Sequence, residues 1–221
     1  MTTILFGSIS TVVDTSELQR SAFNAAFAQH GLDWQWEQEE YQSLLKESGG
    51  QDRISRYAQE RGETVDAPSI HEMKTMLFQQ YLTAGNFEPR QGVAELIAAA
   101  HDQGLKVGLV TTTSSSNVET LLGALAPKVQ RESFDVVVDL GAGIQEKPDS
   151  ASYRLALDYL SEDADKCVAI EDNVDGVNAA TAAGIACVAF PNANTAGHDF
   201  AGAISQVDHL DLSALQRLIA K

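Results

Sequence analysis

The stretch Leu105-Lys106-Val107-Gly108-Leu109-Val110-Thr111-Thr112-Thr113-Ser114-Ser115-Ser116-Asn117 decides how the chain is read. An apolar run of strand length empties into consecutive hydroxyl residues, and helical spacing then takes over through residue 125. A strand ending in a polar loop that opens a helix is half of a βαβ unit. The same change recurs downstream. Apolar runs at 134–138, 166–170 and 186–190 alternate with helical periodicity at 150–160 and 176–183, while 92–101 and 212–219 supply helices at either end. Short continuous apolar strands alternating with helices predict a parallel sheet covered on both faces.

Working outward towards the N-terminus, residues 3–6 form another short apolar run, followed at once by Gly7-Ser8-Ile9-Ser10-Thr11. This strand must join the same sheet, since alone it would leave its backbone groups unpaired. A helix fits 16–29 and ends near Gly31. From 34 to 87 no strand pattern occurs; amphipathic runs at 38–46, 51–61 and 69–84 are punctuated by Gly49-Gly50 and by the 62–68 stretch. The fold class is therefore α/β, a Rossmann-like parallel sheet flanked by helices with an inserted all-helical cap. The core domain is expected at 1–15 plus 88–221 and the helical cap domain at 16–87.

Composition narrows the function. With 31 Asp plus Glu against 15 Lys plus Arg, the formal charge of -16 repels nucleic-acid backbones and anionic membranes, so neither is an expected partner. No stretch approaches the ~20 apolar residues of a membrane span, and residues 1–6 are too short for a signal peptide, so a cytoplasmic location is expected. Cys167 and Cys187 lie in apolar runs and read as buried thiols; His30, His71, His101, His198 and His209 are scattered without metal-ligand spacing. A small phosphorylated molecule remains compatible with the acidity, because a few donors or a divalent cation reverse the field locally.

Sites in such sheets lie beyond the carboxyl ends of the strands, which directs attention to loops 7–11, 111–116, 141–148 and 171–176. The hydroxyls of 111–116 serve either as a phosphate cradle or as helix caps. Lys147 is a candidate to neutralise a phosphate, or an exposed loop lysine. Glu171 and Asp172, with Asp175 nearby, offer the hard oxygens that Mg²⁺ prefers, or cap the next helix.

In order of elements and loops the whole chain resembles the haloacid dehalogenase (HAD) superfamily of phosphohydrolases, in particular members with a helical cap after the first motif. Val107-Gly108-Leu109-Val110-Thr111 resembles the second motif, Lys147-Pro148-Asp149 with Tyr153 the third, and Ile170-Glu171-Asp172-Asn173 with Gly176, Ala179, Ala180, Ala183 and Gly184 the fourth. The resemblance implies phosphate binding by Thr111, Thr112 and Lys147, and a Mg²⁺ ion held by Asp172 with Glu171. Gly49-Gly50-Gln51-Asp52-Arg53-Ile54 and Arg90-Gln91-Gly92-Val93 resemble the branch of CbbY-type sugar-phosphate phosphatases and β-phosphoglucomutases, which implies that Gly50 and Arg53 of the cap hold the distal part of a phosphosugar.

The first motif departs from the family. Gly7 stands where the resemblance places the nucleophilic aspartate and Ile9 where it places the acid/base aspartate, while Thr11 and Asp14 are kept. Glycine and isoleucine supply neither covalent attack nor proton transfer. Ser8 is expected to point away from the site by strand alternation. The leading reading is a catalytically inactive relative that retains phosphate or phosphosugar binding, with Thr111, Lys147, Arg53 and Arg90 as donors and with Mg²⁺ affinity weakened by the lost carboxylate. Two alternatives stand beside it: a working Mg²⁺-dependent phosphatase or phosphomutase acting on a small sugar phosphate, and a protein-interaction module using Trp34, Trp36 and Tyr41 towards a partner that the sequence does not identify.

Overall fold

The computed structural model describes residues 1–47 and 49–219. In chain order the elements are β1 (Thr3–Phe6), α1 (Ile9–Val12), α2 (Ser16–Gln29), α3 (Gln38–Leu44), α4 (Gly50–Arg61), α5 (Ala67–Ala84), α6 (Val93–Asp102), β2 (Lys106–Val110), α7 (Ser115–Leu125), β3 (Val136–Val138), α8 (Ala151–Leu160), β4 (Cys167–Glu171), α9 (Val174–Ala182), β5 (Ala186–Ala189), β6 (Ser205–Gln206) and α10 (Leu212–Ile219). All strands pair in parallel, in the order β3-β2-β1-β4-β5-β6. The expected strand at the N-terminus sits at the centre, with Phe6 in register with Leu109 on one side and Ile170 on the other. The chain runs outward from β1 in both directions, so the switch point of the sheet, where ligands lodge in open α/β folds, lies at the carboxyl end of β1.

Side-chain chemistry fixes where the flanking helices begin. Ser114 accepts a hydrogen bond from the Asn117 N–H at the start of α7, and Asn173 accepts one from the Gly176 N–H at the start of α9. The capping reading of both loops is thus realised, by Ser114 in one and by Asn173, not the neighbouring carboxylates, in the other. Asp66 caps α5 with Pro68 in the first turn, so that helix begins two residues before the apolar spacing suggested.

Helices α2–α5 form the inserted cap, with α5 packed on α2, α4 and the core helix α7. Its interior is aromatic. Phe23, Phe27, Trp34, Trp36 and Tyr41 are buried, with the Trp36 ring 4.7 Å from Phe27 and 4.9 Å from Phe23 between centroids. Trp34, Trp36 and Tyr41 therefore hold the cap together and present no aromatic anchor to a partner. Cys167 and Cys187 are free and buried, as their apolar surroundings implied. Among the described residues no helix is long and apolar enough to cross a membrane.

The two-residue strand β6, Ser205–Gln206, was not anticipated, because two residues carry no periodicity. Nor was the single-turn helix α1, which follows Gly7 and Ser8 immediately.

Candidate functional site

A cleft of about 580 Å³ opens between the carboxyl edge of the sheet and the helical cap. Its floor carries Ser8, Ile9, Thr111, Thr112, Asp172 and Asn192; the cap side contributes Gln19, Gly50, Arg53, His71 and Lys74. Thr111, Thr112, Gly50, Arg53 and Asp172, all singled out in the sequence, line this one cleft. Gly7, Lys147 and Glu171 are not on the cleft wall but beneath its floor.

That buried layer is the main departure from expectation. The Lys147 ammonium donates to the Val110 carbonyl at 2.7 Å, to Glu171 Oε1 at 2.7 Å, and to the Gly7 carbonyl. All three of its protons are directed at protein oxygens. Tyr153 Oη also donates to Glu171 Oε1, at 2.7 Å, while Glu171 Oε2 is buried with no hydrogen-bond partner among the described residues. Burial drives the Glu171 carboxyl above the usual carboxylate range, against the pull of Lys147. Glu171 occupies the volume a side chain at position 7 would need: a Cβ on Gly7 would stand 2.0 Å from Glu171 Oε1 and 2.3 Å from Tyr153 Oη.

Above this layer, the chain leaves β1 and turns directly into α1, which re-aims Ser8. Its Oγ accepts from the N–H groups of Ser10 and Thr11 and donates to Asp172 Oδ1 at 2.7 Å. Ser8 therefore faces the cleft, contrary to the expectation from strand alternation, which ends where the strand ends. Asp172 is held on both oxygens: Oδ1 also accepts from Asn173 at 3.1 Å, and Oδ2 accepts from Asn192 at 2.8 Å. Ile9, 5% exposed, presents only hydrocarbon at the expected acid/base position.

Arg53 is buried beneath the cap and already bonds the carbonyls of Leu44 and Glu47, at 2.9 and 2.8 Å. Gly50 lies close under His71, where a Cβ would stand 2.7 Å from Nε2 and the imidazole would have to shift. Arg90 does not line the cleft. Its guanidinium lies 3.5 Å above the Phe190 ring and donates to the carbonyls of Ser10, Phe190 and Pro191. It fastens the first loop to the end of β5 rather than serving as a ligand donor.

Of the carboxylates expected to hold Mg²⁺, this arrangement presents only Asp172 on the cleft wall, with Glu171 turned beneath the floor. Among the described residues no group of three metal-ligating side chains converges. Glu171 is tied to Lys147 and Tyr153, Asp172 to Ser8 and Asn192, and position 7 offers no oxygen beyond a carbonyl that Lys147 already bonds.

Sequence reasoning missed Lys74 and His71, both on α5. The signal was present for the lysine: Ala67, Ile70, Lys74, Leu77, Phe78 and Leu82 are the buried positions of the helix, so Lys74 stands on its apolar stripe. Its ammonium position is 3.0 Å from Gln19 Oε1 and 4.8 Å from the Phe23 ring centroid. Desolvation and the Arg53 charge lower its pKa to about 7.

Comparison with known proteins places these features in context. Residues 7–190 match the family model for haloacid dehalogenase-like hydrolase. The CbbY protein of Cereibacter sphaeroides is 39% identical over 208 residues, covering 93% of this chain and 90% of that protein. The plasmid CbbY protein of Cupriavidus necator is 37% identical over 220 residues, covering 95% of this chain and 86% of that protein. Crystal structures of CbbY from Rhodobacter sphaeroides superpose with 38% identity, covering 95% of this chain and 94% of theirs. One, in complex with phosphate, gives a TM-score of 0.85; the other, an aspartate-to-asparagine variant in complex with xylulose-(1,5)bisphosphate, gives 0.86.

Proposed function

The chain belongs to the haloacid dehalogenase-like hydrolase family, and from that premise we propose that it binds a small phosphorylated sugar in the cleft without carrying out phosphoryl transfer through an aspartyl phosphate. The observation that carries this reading is that Glu171, as it is placed, fills the space a side chain at position 7 would need, in a loop whose other acid/base position is Ile9. Covalent attack needs a nucleophile at the cleft floor, and leaving-group protonation needs an acid beside it; neither position supplies one.

The chemistry of the walls supports a sugar phosphate as ligand. The core side offers hydroxyls at Thr111, Thr112 and Thr113, amides at Asn173 and Asn192, and the Asp172 carboxylate, a set suited to sugar hydroxyls and weak phosphate donors. Fixed positive charge on the wall comes from the cap, at Arg53, which favours a phosphate end directed towards α4. Lys147 joins such a site only if Glu171 releases it. Xylulose-1,5-bisphosphate, bound by a relative with 38% identity, is the first probe to use.

A Mg²⁺-dependent phosphatase or phosphomutase is the second reading, and kinship favours it: dependence on Mg²⁺ is typical of the family, and the CbbY proteins match along nearly the whole chain. The two readings part in one experiment. Phosphate release from a panel of sugar phosphates is measured with and without Mg²⁺ for the wild type and Asp172→Ala, alongside calorimetric binding of the same compounds. Binding without turnover is expected; turnover abolished by Asp172→Ala would establish the phosphatase instead.

A further inference from the structure

We propose that Lys74 forms a reversible imine with the open-chain carbonyl of an aldose or ketose phosphate held in the cleft. The inference rests on the cleft accepting a small phosphorylated sugar, and it concerns a group that neither the phosphate cradle nor the first motif uses.

Four of the described lysines pair with carboxylates: Lys106 with Glu162, Lys128 with Glu88, Lys147 with Glu171 and Lys166 with Asp163. Lys74 has no carboxylate within ion-pair distance among the described residues. Its hydrogen-bond partner is the neutral amide of Gln19 at 3.0 Å, and its nitrogen sits 4.8 and 5.2 Å from the ring centroids of Phe23 and Phe78. The residue is 5% exposed and is one of those that line the cleft. A cation in such a place loses hydration without gaining a counter-charge, and the nearby Arg53 opposes it further; the two ring faces return only part of that loss. With its pKa at about 7, the unprotonated fraction at neutral pH exceeds that of an ordinary lysine by on the order of a thousandfold. A desolvated lysine beside another cationic group is a nucleophile towards carbonyl carbon.

A second ionisable group shares this wall. His71, one turn earlier on α5, lines the same cleft, and desolvation with the Lys74 and Arg53 charges lowers its imidazole to about 4, so it is neutral under ordinary conditions. In the step itself the Lys74 Nζ lone pair bonds the carbonyl carbon and the carbonyl π pair moves to oxygen. A proton passes from nitrogen to that oxygen, giving a carbinolamine. The C–O bond then breaks, water leaves with the second amine proton, and a C=N bond remains. Amine and carbonyl are converted to imine and water with no oxidant or reductant.

The test is reductive trapping. Full-length protein is incubated at neutral pH with sodium cyanoborohydride and ribulose 5-phosphate, and in a parallel arm with glycolaldehyde, which carries no phosphate; adducts are then mapped by peptide mass spectrometry. The expected result is a secondary-amine adduct on Lys74 exceeding that on each other lysine by on the order of tenfold or more, in both arms, and absent from Lys74→Arg. Selective trapping of glycolaldehyde but not ribulose 5-phosphate would keep the reactive amine and overturn the phosphosugar reading. Adducts spread over surface lysines, or none on Lys74 in either arm, would overturn the imine, whether or not calorimetry shows the sugar phosphate bound.

Discussion

A Cβ placed on Gly7 would stand 2.0 Å from Glu171 Oε1 and 2.1 Å from its carboxyl carbon, so residue 7 and Glu171 compete for one space. Gly176 closes the slot from the other side, where a Cβ would come within 2.2 Å of the same carboxylate. Glu171 is thereby held against Lys147 and Tyr153 between two glycines. Gly7→Ala should destabilise the protein by about 1–3 kcal/mol, the usual cost of overpacking a filled interior, measured as a shift of the urea midpoint at constant slope. Unchanged stability would mean that Glu171 swings away freely and that the floor is open to a side chain after all.

The buried ion pair supplies the next expectation. The side chains of Lys147 and Glu171 are 5% and 0% exposed. Removing one partner strands the other's charge, so Lys147→Met should cost about 3–5 kcal/mol, whereas replacing both residues with apolar side chains should cost markedly less. A double-mutant cycle in urea reads the coupling directly. Additive losses would show that the two groups stabilise the fold independently, through their other contacts, and not as a pair.

How far the sequence revealed this arrangement depended on the kind of signal. The five longer strands and the interruption by helices were legible, because continuous apolar runs such as Val107–Val110 and the strand-free stretch from 34 to 87 are properties of chain neighbours. The convergence of Thr111, Arg53 and Asp172 on one cleft was legible through the switch-point rule and the motif resemblance. What stayed hidden was tertiary. Nothing in the string Gly7-Ser8-Ile9 says that Glu171, far along the chain, fills the vacated volume, nor that the turn into α1 aims Ser8 at Asp172. Arg90 looked like a ligand donor because its carbonyl partners at Ser10, Phe190 and Pro191 meet only after folding.

Arg90 is accordingly expected to act on stability and not on binding. Arg90→Met keeps most of the packing over Phe190 but removes donors to three carbonyls, each costing about 1–3 kcal/mol where water does not replace it. The urea midpoint should fall while calorimetric affinity for xylulose-1,5-bisphosphate, measured well below the transition, holds within about a factor of two, as for residues without shared partners. A tenfold loss of affinity with stability intact would return Arg90 to the ligand site.

Lys74 gives the clearest pH dependence. Its pKa falls from an ordinary value of 10.5 in the unfolded chain to about 7 in the folded protein. Between those values the unfolded state holds a proton that the native state lacks, so stability rises with pH across that window; below about 7 both states are protonated and the cost of the buried charge is complete. At about 1.4 kcal/mol per unit the full swing has an upper bound of about 5 kcal/mol, reduced by whatever the Phe23 and Phe78 faces return. His71, lowered to about 4, contributes its own rise at lower pH, up to its ordinary 6.5, and so does not overlap. The net charge of -16 also destabilises the protein as pH climbs, but nearly equally in wild type and Lys74→Met. The difference between the two proteins' unfolding free energies, followed in urea from about pH 6 to 10, should therefore isolate the lysine. Lys74→Met should be the more stable at the acid end, with its advantage shrinking as pH rises. A difference that stays flat through this range would mean that Lys74 keeps its proton in the fold, and the free amine on which imine formation depends would be absent.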